Sequence, residues 1–477
     1  MQPRWSLYLL AFALLPGLLA RPAVSQEVRP PVELSRPSAV GSCDTGFHTF
    51  GNWPVWLVDE AAEPIVAVNP IHPNNIVTAW IQGPFQDIIA AVSFDGGQSW
   101  QQVPIPLTTC SGGPFSGTGD PWLSFAPNGA LYVVAGAGHT LADSGIVVIK
   151  SGDGGLHWSA PLVVPGSFTK DSHASLTADP KDARFVYAVW NNLGTAVFSR
   201  TTDGGLTWKP ARTIVRNNVP QSYVQFSQIL VLPNGTLVDI YDFRKQQPDK
   251  TRVINLQVLR STNHARTWSA PRNVVTMTPL HRADGSPVVD PKTGQFVSDV
   301  TNASFAVDRR NGNLYAVWGD GRFSNFQYND TAFAMSADGG LTWSAPIRVN
   351  RTPLDIPPAN RQAFFPSIAV AADGTIGVSY YDFRFNDPNP GLPTDRWLVL
   401  CHPSSAKPAT NAANWGSEVR LTDSSFNIEA VVAKVFKDRF FLGDYFGLAT
   451  AGNDFVSVFI QPDHDNVTSA FFRRVRP

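Results

Sequence analysis

Three arginines in this chain each stand two residues after an aspartate that ends an apolar run: Tyr241-Asp242-Phe243-Arg244, Trp318-Gly319-Asp320-Gly321-Arg322 and Tyr381-Asp382-Phe383-Arg384. A fourth, Arg361, precedes the apolar run Ala363-Phe364-Phe365. Guanidinium groups gathered on one pocket suit a carboxylate, sulfate or phosphate, held through charge-assisted and often bidentate hydrogen bonds. The competing reading pairs each arginine with its own aspartate and pins neighbouring elements. Groups suited to proton or nucleophile chemistry lie at Glu63, Asp120, Asp444, Tyr445 and Tyr381. A phenol needs a base beside it, because its ordinary pKa of about 10 leaves it a poor nucleophile at neutral pH. His173, Trp80, Trp190 and Trp318 read more simply as structural side chains. Asp242, Asp320 and Asp382 could also offer oxygens to a cation such as calcium. No calcium-loop motif or Cys/His zinc cluster accompanies them, so no cofactor is expected.

The elements that must position these groups follow from an internal repeat. An octapeptide occurs at 93–100, 151–158, 201–208 and 336–343, with the pattern Ser/Thr-x-Asp-Gly-Gly-x-x-Trp, and in worn form at 261–268, where Asn263-His264-Ala265 replaces Asp-Gly-Gly. A last remnant keeps Trp415 and the strand after it. Asp accepts hydrogen bonds from turn amides, Gly-Gly supplies positive φ, and Trp packs as an anchor. These aspartates therefore read as structural. A strand-turn-strand module precedes each octapeptide, and seven such modules can be counted. Four strands per repeat is the pattern of a β-propeller. The expected fold is all-β, a single propeller of four-stranded antiparallel blades spanning 47–477, with seven blades preferred and six the alternative. Residues 47–58 are expected to supply the outer strand missing from the seventh blade. In such a ring the starts of inner strands and the ends of second strands share one face, which gathers Glu63, Asp120, His173, Asn302, Arg361, Asp444 and Tyr445 with the three Asp-x-Arg pairs.

The octapeptides resemble the Asp-boxes, or bacterial neuraminidase repeats, of sialidases and similar propellers. That resemblance implies an exo-sialidase type of glycoside hydrolase acting on terminal acidic sugars. It implies a carboxylate-binding arginine triad, for which Arg244, Arg322 and Arg384 are the matching set, with Arg361, Asp242, Asp320, Asp382 and Asp444 beside the substrate. It implies a Tyr nucleophile, here Tyr445 or Tyr381, a Glu that helps deprotonate it, and an Asp acid/base, here Asp120. The family's early Arg-Ile-Pro motif is replaced by Glu63-Pro64-Ile65, and no Glu occurs between Glu63 and Glu418. Glu63 must therefore reach across the ring's centre, or an Asp must substitute. The alternatives are a non-catalytic propeller binding a glycan or protein, and another carbohydrate-active enzyme such as a polysaccharide lyase.

Composition narrows the classes further. Of 477 residues, 16% are charged and 11% aromatic, with 39 Pro and 37 Gly, which argues against helical bundles, coiled coils and a disordered chain. Net charge is −1 without a basic stripe, so nucleic-acid binding by counterion release is not expected. Residues 1–25 read as a secretory signal, with Arg4 before an apolar stretch and Ala23-Val24-Ser25 before the cut. The expected product is a secreted monomer, off the membrane after cleavage, with a glycan partner. Residues 26–46 read as a Pro-rich lead-in. An oxidising compartment permits one disulfide among Cys43, Cys110 and Cys401, with Cys43–Cys110 the favoured pair.

Overall fold

The computed structural model describes residues 27–477 apart from 44, 46–58, 84, 141–142, 168–170, 217, 249–251, 281–287, 296, 298–301, 432–433, 436–438, 441 and 464. Consecutive antiparallel sheets form a seven-bladed β-propeller, each blade built on a four-strand path. The inner strands of blades I to VII are Ala61–Val68, Gly117–Phe125, Asp171–Ala178, Ser222–Val231, Ser304–Val307, Ala363–Val370 and Leu448–Ala451. The core lies between blades: Ile65, Val77 and Ile88 of blade I pack with Leu123, Val133 and Val147 of blade II. Trp80, Trp190 and Trp318 are fully buried, as expected of anchors rather than sugar-stacking faces.

Ring closure differs from the expectation. The outer edge of blade VII is Glu27–Val28, paired with Thr468–Arg476, and Val32–Glu33 adds to the same strand. The lead-in is thus part of the blade, while the segment 47–58 lies outside the described residues. Physically, Val28 and Val32 pack on the core and Leu34 is buried, so this stretch gains apolar burial by pairing. Pro30 and Pro31 lack an N–H and split the pairing into two short pieces. A Cys43–Cys110 disulfide fastens the segment to the loop after blade I, and Cys401 is a buried free thiol.

Four octapeptides form the same turn, built by their own side chains. Asp95 Oδ1 accepts from the amides of Gln98 at 2.8 Å and Ser99 at 3.0 Å, while the Gly97 amide donates to Ser93 Oγ at 2.8 Å. Gly97 sits at φ +89°, and a Cβ there would meet the Phe472 ring at 2.3 Å. This glycine thus serves both the turn and the contact that closes blade I on blade VII. The worn copy keeps the bonding through Asn263 Oδ1, which accepts from the Thr267 amide at 3.0 Å, but holds His264 and Ala265 at φ 53° and 58°.

Candidate functional site at the ring centre

Five inner strands slip register at matching places, between Ala62 and Ile65, Gly119 and Trp122, Ser172 and Ser175, Gln225 and Gln228, and Phe364 and Ser367. Each bulge puts one non-glycine residue in the left-handed region: Glu63 at 53°, Asp120 at 54°, His173 at 51°, Phe226 at 54° and Phe365 at 51°. Such a conformation costs roughly 1–2 kcal/mol per residue. Because two phenylalanines carry the same strain, it belongs to the ring and is not itself a sign of chemistry. Side-chain identity makes the difference. Blades VII, I, II and III present Asp444 and Tyr445, Glu63, Asp120 and His173, a polar arc. Blades IV and VI present Phe226 and Phe365, with Asn302 of blade V between them.

The polar arc is densely connected. The His173 amide donates to Asp120 Oδ2 at 2.8 Å, and His173 Nε2 lies 3.2 Å from Asp444 Oδ2. Asn302 Nδ2 donates to the Asp444 carbonyl at 2.7 Å. Tyr445 Oη donates to the Pro121 carbonyl at 2.9 Å, and its ring meets Trp122 edge-on at 5.5 Å. Glu63 is buried at 1% exposure, behind the half-buried Asp120, Asp444 and Tyr445. Burial, then the charges of Asp120 and Asp444, push its carboxyl well above the usual range. Burial and the charges of Glu63, Asp120 and Asp444 likewise push the Tyr445 phenol well above its ordinary value. Burial would lower His173, but Asp120 and Asp444 outweigh it and raise the imidazole to about 9. The cluster therefore combines a carboxyl and a phenol that are both shifted upward with an imidazole raised to about 9.

Glu63 does not cross the ring to reach Tyr445. Closure makes blades VII and I neighbours, which brings the Glu63 carboxyl close enough to the Tyr445 phenol to raise it. His173, expected as structural, is a full member of the cluster. Trp122 escaped sequence reasoning, although it stands two residues after Asp120.

The arginine triad does not assemble. Arg244 alone borders the centre, buried, with Nη2 2.9 Å from Asp242 Oδ2 and its guanidinium 5.3 Å from the Phe226 ring centroid. Arg322 binds Asp320 at 2.8 Å and the Thr276 carbonyl on the outer strand of blade IV. Arg384 binds Asp382 at 2.8 Å and Glu418 of the outer strand of blade VI at 2.6 Å, and lies 3.6 Å over the Trp397 ring. Arg361 donates to the Ile356 carbonyl at 2.7 Å and stands over Tyr328. Asp320 and Asp382 also accept from Trp318 and Trp397, so both are committed to holding their blades. Among the described residues no group of three or more His, Cys, Asp or Glu is arranged to hold a metal ion. Tyr381 leaves the site too: it is fully buried, stacked on Phe364 at 5.4 Å, and its hydroxyl donates to the Ile460 carbonyl at 2.7 Å.

The profile of the BNR repeat-like domain family matches residues 82–378, more than half of the chain. The chain belongs to that family. Among solved structures, this BNR repeat-like protein is similar to a protein of unknown function from Dyadobacter fermentans, at 14% identity over 95% of this chain and 100% of that one, with a TM-score of 0.47. It is similar to an alpha-L-arabinanase of Penicillium chrysogenum complexed with arabinobiose, at 16% identity over 74% and 94% of the two chains and a TM-score of 0.46. A Hadza microbial sialidase matches at 14% identity over 84% and 74%, with a TM-score of 0.44. At these identities and scores nothing about chemistry transfers to this BNR repeat-like protein. No curated protein matches its sequence.

Proposed function

We propose that this propeller is a secreted glycoside hydrolase whose reaction centre is the polar arc at the ring axis. The carrying observation is the juxtaposition of Glu63, its carboxyl pushed well upward, with Asp120 and Asp444, beside a cavity that Asp444, Tyr445 and His173 line together with Phe226 and Phe365. Glycosidic cleavage needs a proton for the leaving oxygen and a second carboxylate for water or the anomeric carbon. In this reading Glu63 is the acid that supplies the proton for the leaving oxygen, and Asp120 beside it faces the sugar. Asp444, fixed by His173, is the second carboxylate, and Trp122 offers an edge for the sugar ring. The central cavity beside these groups holds about 70 Å³, well below the roughly 300–1,000 Å³ of small-molecule sites, so the sugar lies across the open face of the arc.

With Arg322, Arg361 and Arg384 engaged in the blades, the centre offers little uncompensated positive charge, which favours a neutral sugar. A second reading, the exo-sialidase type on a terminal acidic sugar, is favoured by the contact of Tyr445 with Glu63. Secretion fits the Cys43–Cys110 disulfide.

The test is a panel of fluorogenic glycosides, neutral sugars and sialic acid, given to the purified chain beside Asp444→Asn and Tyr445→Phe. Turnover of a neutral glycoside lost in Asp444→Asn and kept in Tyr445→Phe supports the two-carboxylate reading. Turnover of the sialoside lost in Tyr445→Phe selects the second. A folded protein that cleaves none of them overturns hydrolysis and leaves a glycan-binding propeller.

A further inference from the structure

Far from the ring axis, the outer edges of blades III and IV enclose a cleft of about 250 Å³. Its polar lining is strongly basic: Arg200, Lys209, Arg212 and Arg266, between walls made by Phe198 and Pro210. Arg212 spans the cleft and donates to the main-chain carbonyls of Arg266, at 3.0 Å, and Ala265. These bonds hold the guanidinium without neutralising it. Arg200 lies deepest. Its Nη1 is buried and, among the described residues, accepted by no hydrogen-bond partner. Burial, followed by the nearby charge of Arg212, lowers the Arg200 pKa, and Arg266 adds to the effect.

The local sequence reinforces the point. Blade IV carries the worn octapeptide. Asn263 stands where other copies have Asp, removing a negative charge, and Arg266 stands where three of them have Leu. The turn nevertheless keeps its form with two successive non-glycine residues at positive φ. The repeat has thus exchanged acid for base, beside the Arg200 cleft.

We infer that this cleft binds an oxyanion, a sulfate, phosphate or carboxylate group, with Arg200 donating from the floor and Arg266 and Lys209 from the rim. The planar forks of Arg200 and Arg266 suit bidentate pairing with such a group. The volume accommodates the anion together with part of the molecule that carries it. This site is independent of the reaction centre, and its occupant need not be cleaved.

Calorimetric titration of the full chain with inorganic sulfate, and separately with a sulfated disaccharide, tests the inference at constant ionic strength. Arg266→Glu lies on an exposed turn and keeps the test independent of folding; Arg200→Gln probes the floor. Expected is binding of at least one probe, weakened by about tenfold or more in each variant, the loss of one charge-assisted hydrogen bond. Sulfate binding identifies a free ion as sufficient, whereas binding of the disaccharide alone identifies an anionic glycan as the source. No binding of either probe, or binding that Arg266→Glu leaves unchanged, overturns it.

Discussion

The acids of the octapeptide turns and the acids of the ring centre are the same functional group in opposite settings. At the outer edge, burial would raise Asp203 and Asp338, but the hydroxyls and amides of Thr207 and Thr342 outweigh it and bring both carboxyls to about 2. At the centre, burial and neighbouring charge drive Glu63 the other way. The rim carboxylates accept backbone hydrogen bonds and complete a turn; the central carboxyl faces other acids and is pushed upward. Repetition distributes the first kind to four blades, whereas the second occurs once. The difference teaches that in a repeat fold the informative acid is the one that breaks the repeat.

The largest effect expected on the central side comes from Glu63→Gln. It preserves shape and removes the acid, and kcat should fall about 10²–10⁴-fold with little change in melting temperature, read from steady-state kinetics and calorimetry on one preparation. Arg384→Ala sharpens the contrast from the other side. It leaves the buried Asp382 and the partly buried Glu418 without their partner, so unfolding free energy should drop about 3–5 kcal/mol while KM on the glycoside, measured on the folded fraction, is unchanged. At the rim, Asp338→Ala removes the acceptor of two turn amides and should cost about 1–2 kcal/mol in denaturant titration, without effect on kcat.

A further effect is the pH dependence of stability. Asp203 and Asp338 are lowered in the folded state, so their contribution is present above about pH 4 and disappears as pH falls through about 2. His173 is raised, so its contribution is complete below about pH 6.5 and is lost as pH rises through about 9. His173→Gln should flatten the alkaline limb of unfolding free energy against pH and leave the acid limb unchanged.

Much of the fold is legible in the sequence because the octapeptide carries its own geometry: Asp, Gly-Gly and Trp each have one physical task. Closure was not, because Glu27–Val28 and Val32–Glu33 are too short and too interrupted by proline to read as strands. Glu63, Asp120, Asp444 and Tyr445 come together at the ring centre, as their places near inner-strand starts lead one to expect. The arginine triad misled for a local reason. Residues two apart on a strand point to the same face, so Arg244 on Leu237–Gln246 meets Asp242 before it meets a ligand. Arg322 and Arg384 meet Asp320 and Asp382 across a turn in the same way. Tyr381 misled because aromatic side chains at strand ends serve the core as readily as the channel. Adjacency of Glu63 and Tyr445 depends on ring closure, which no local pattern encodes.

One pair of substitutions tests the contrast most directly: Asp120→Asn at the centre and Asp203→Asn at the rim, assayed for kcat/KM on the best glycoside of the panel and for melting temperature. The expected result is a loss of about 10²-fold or more in turnover for Asp120→Asn at nearly unchanged melting temperature, against a lower melting temperature and intact turnover for Asp203→Asn. Turnover that survives Asp120→Asn, or that falls equally in both variants, would contradict a reaction centre at the ring axis.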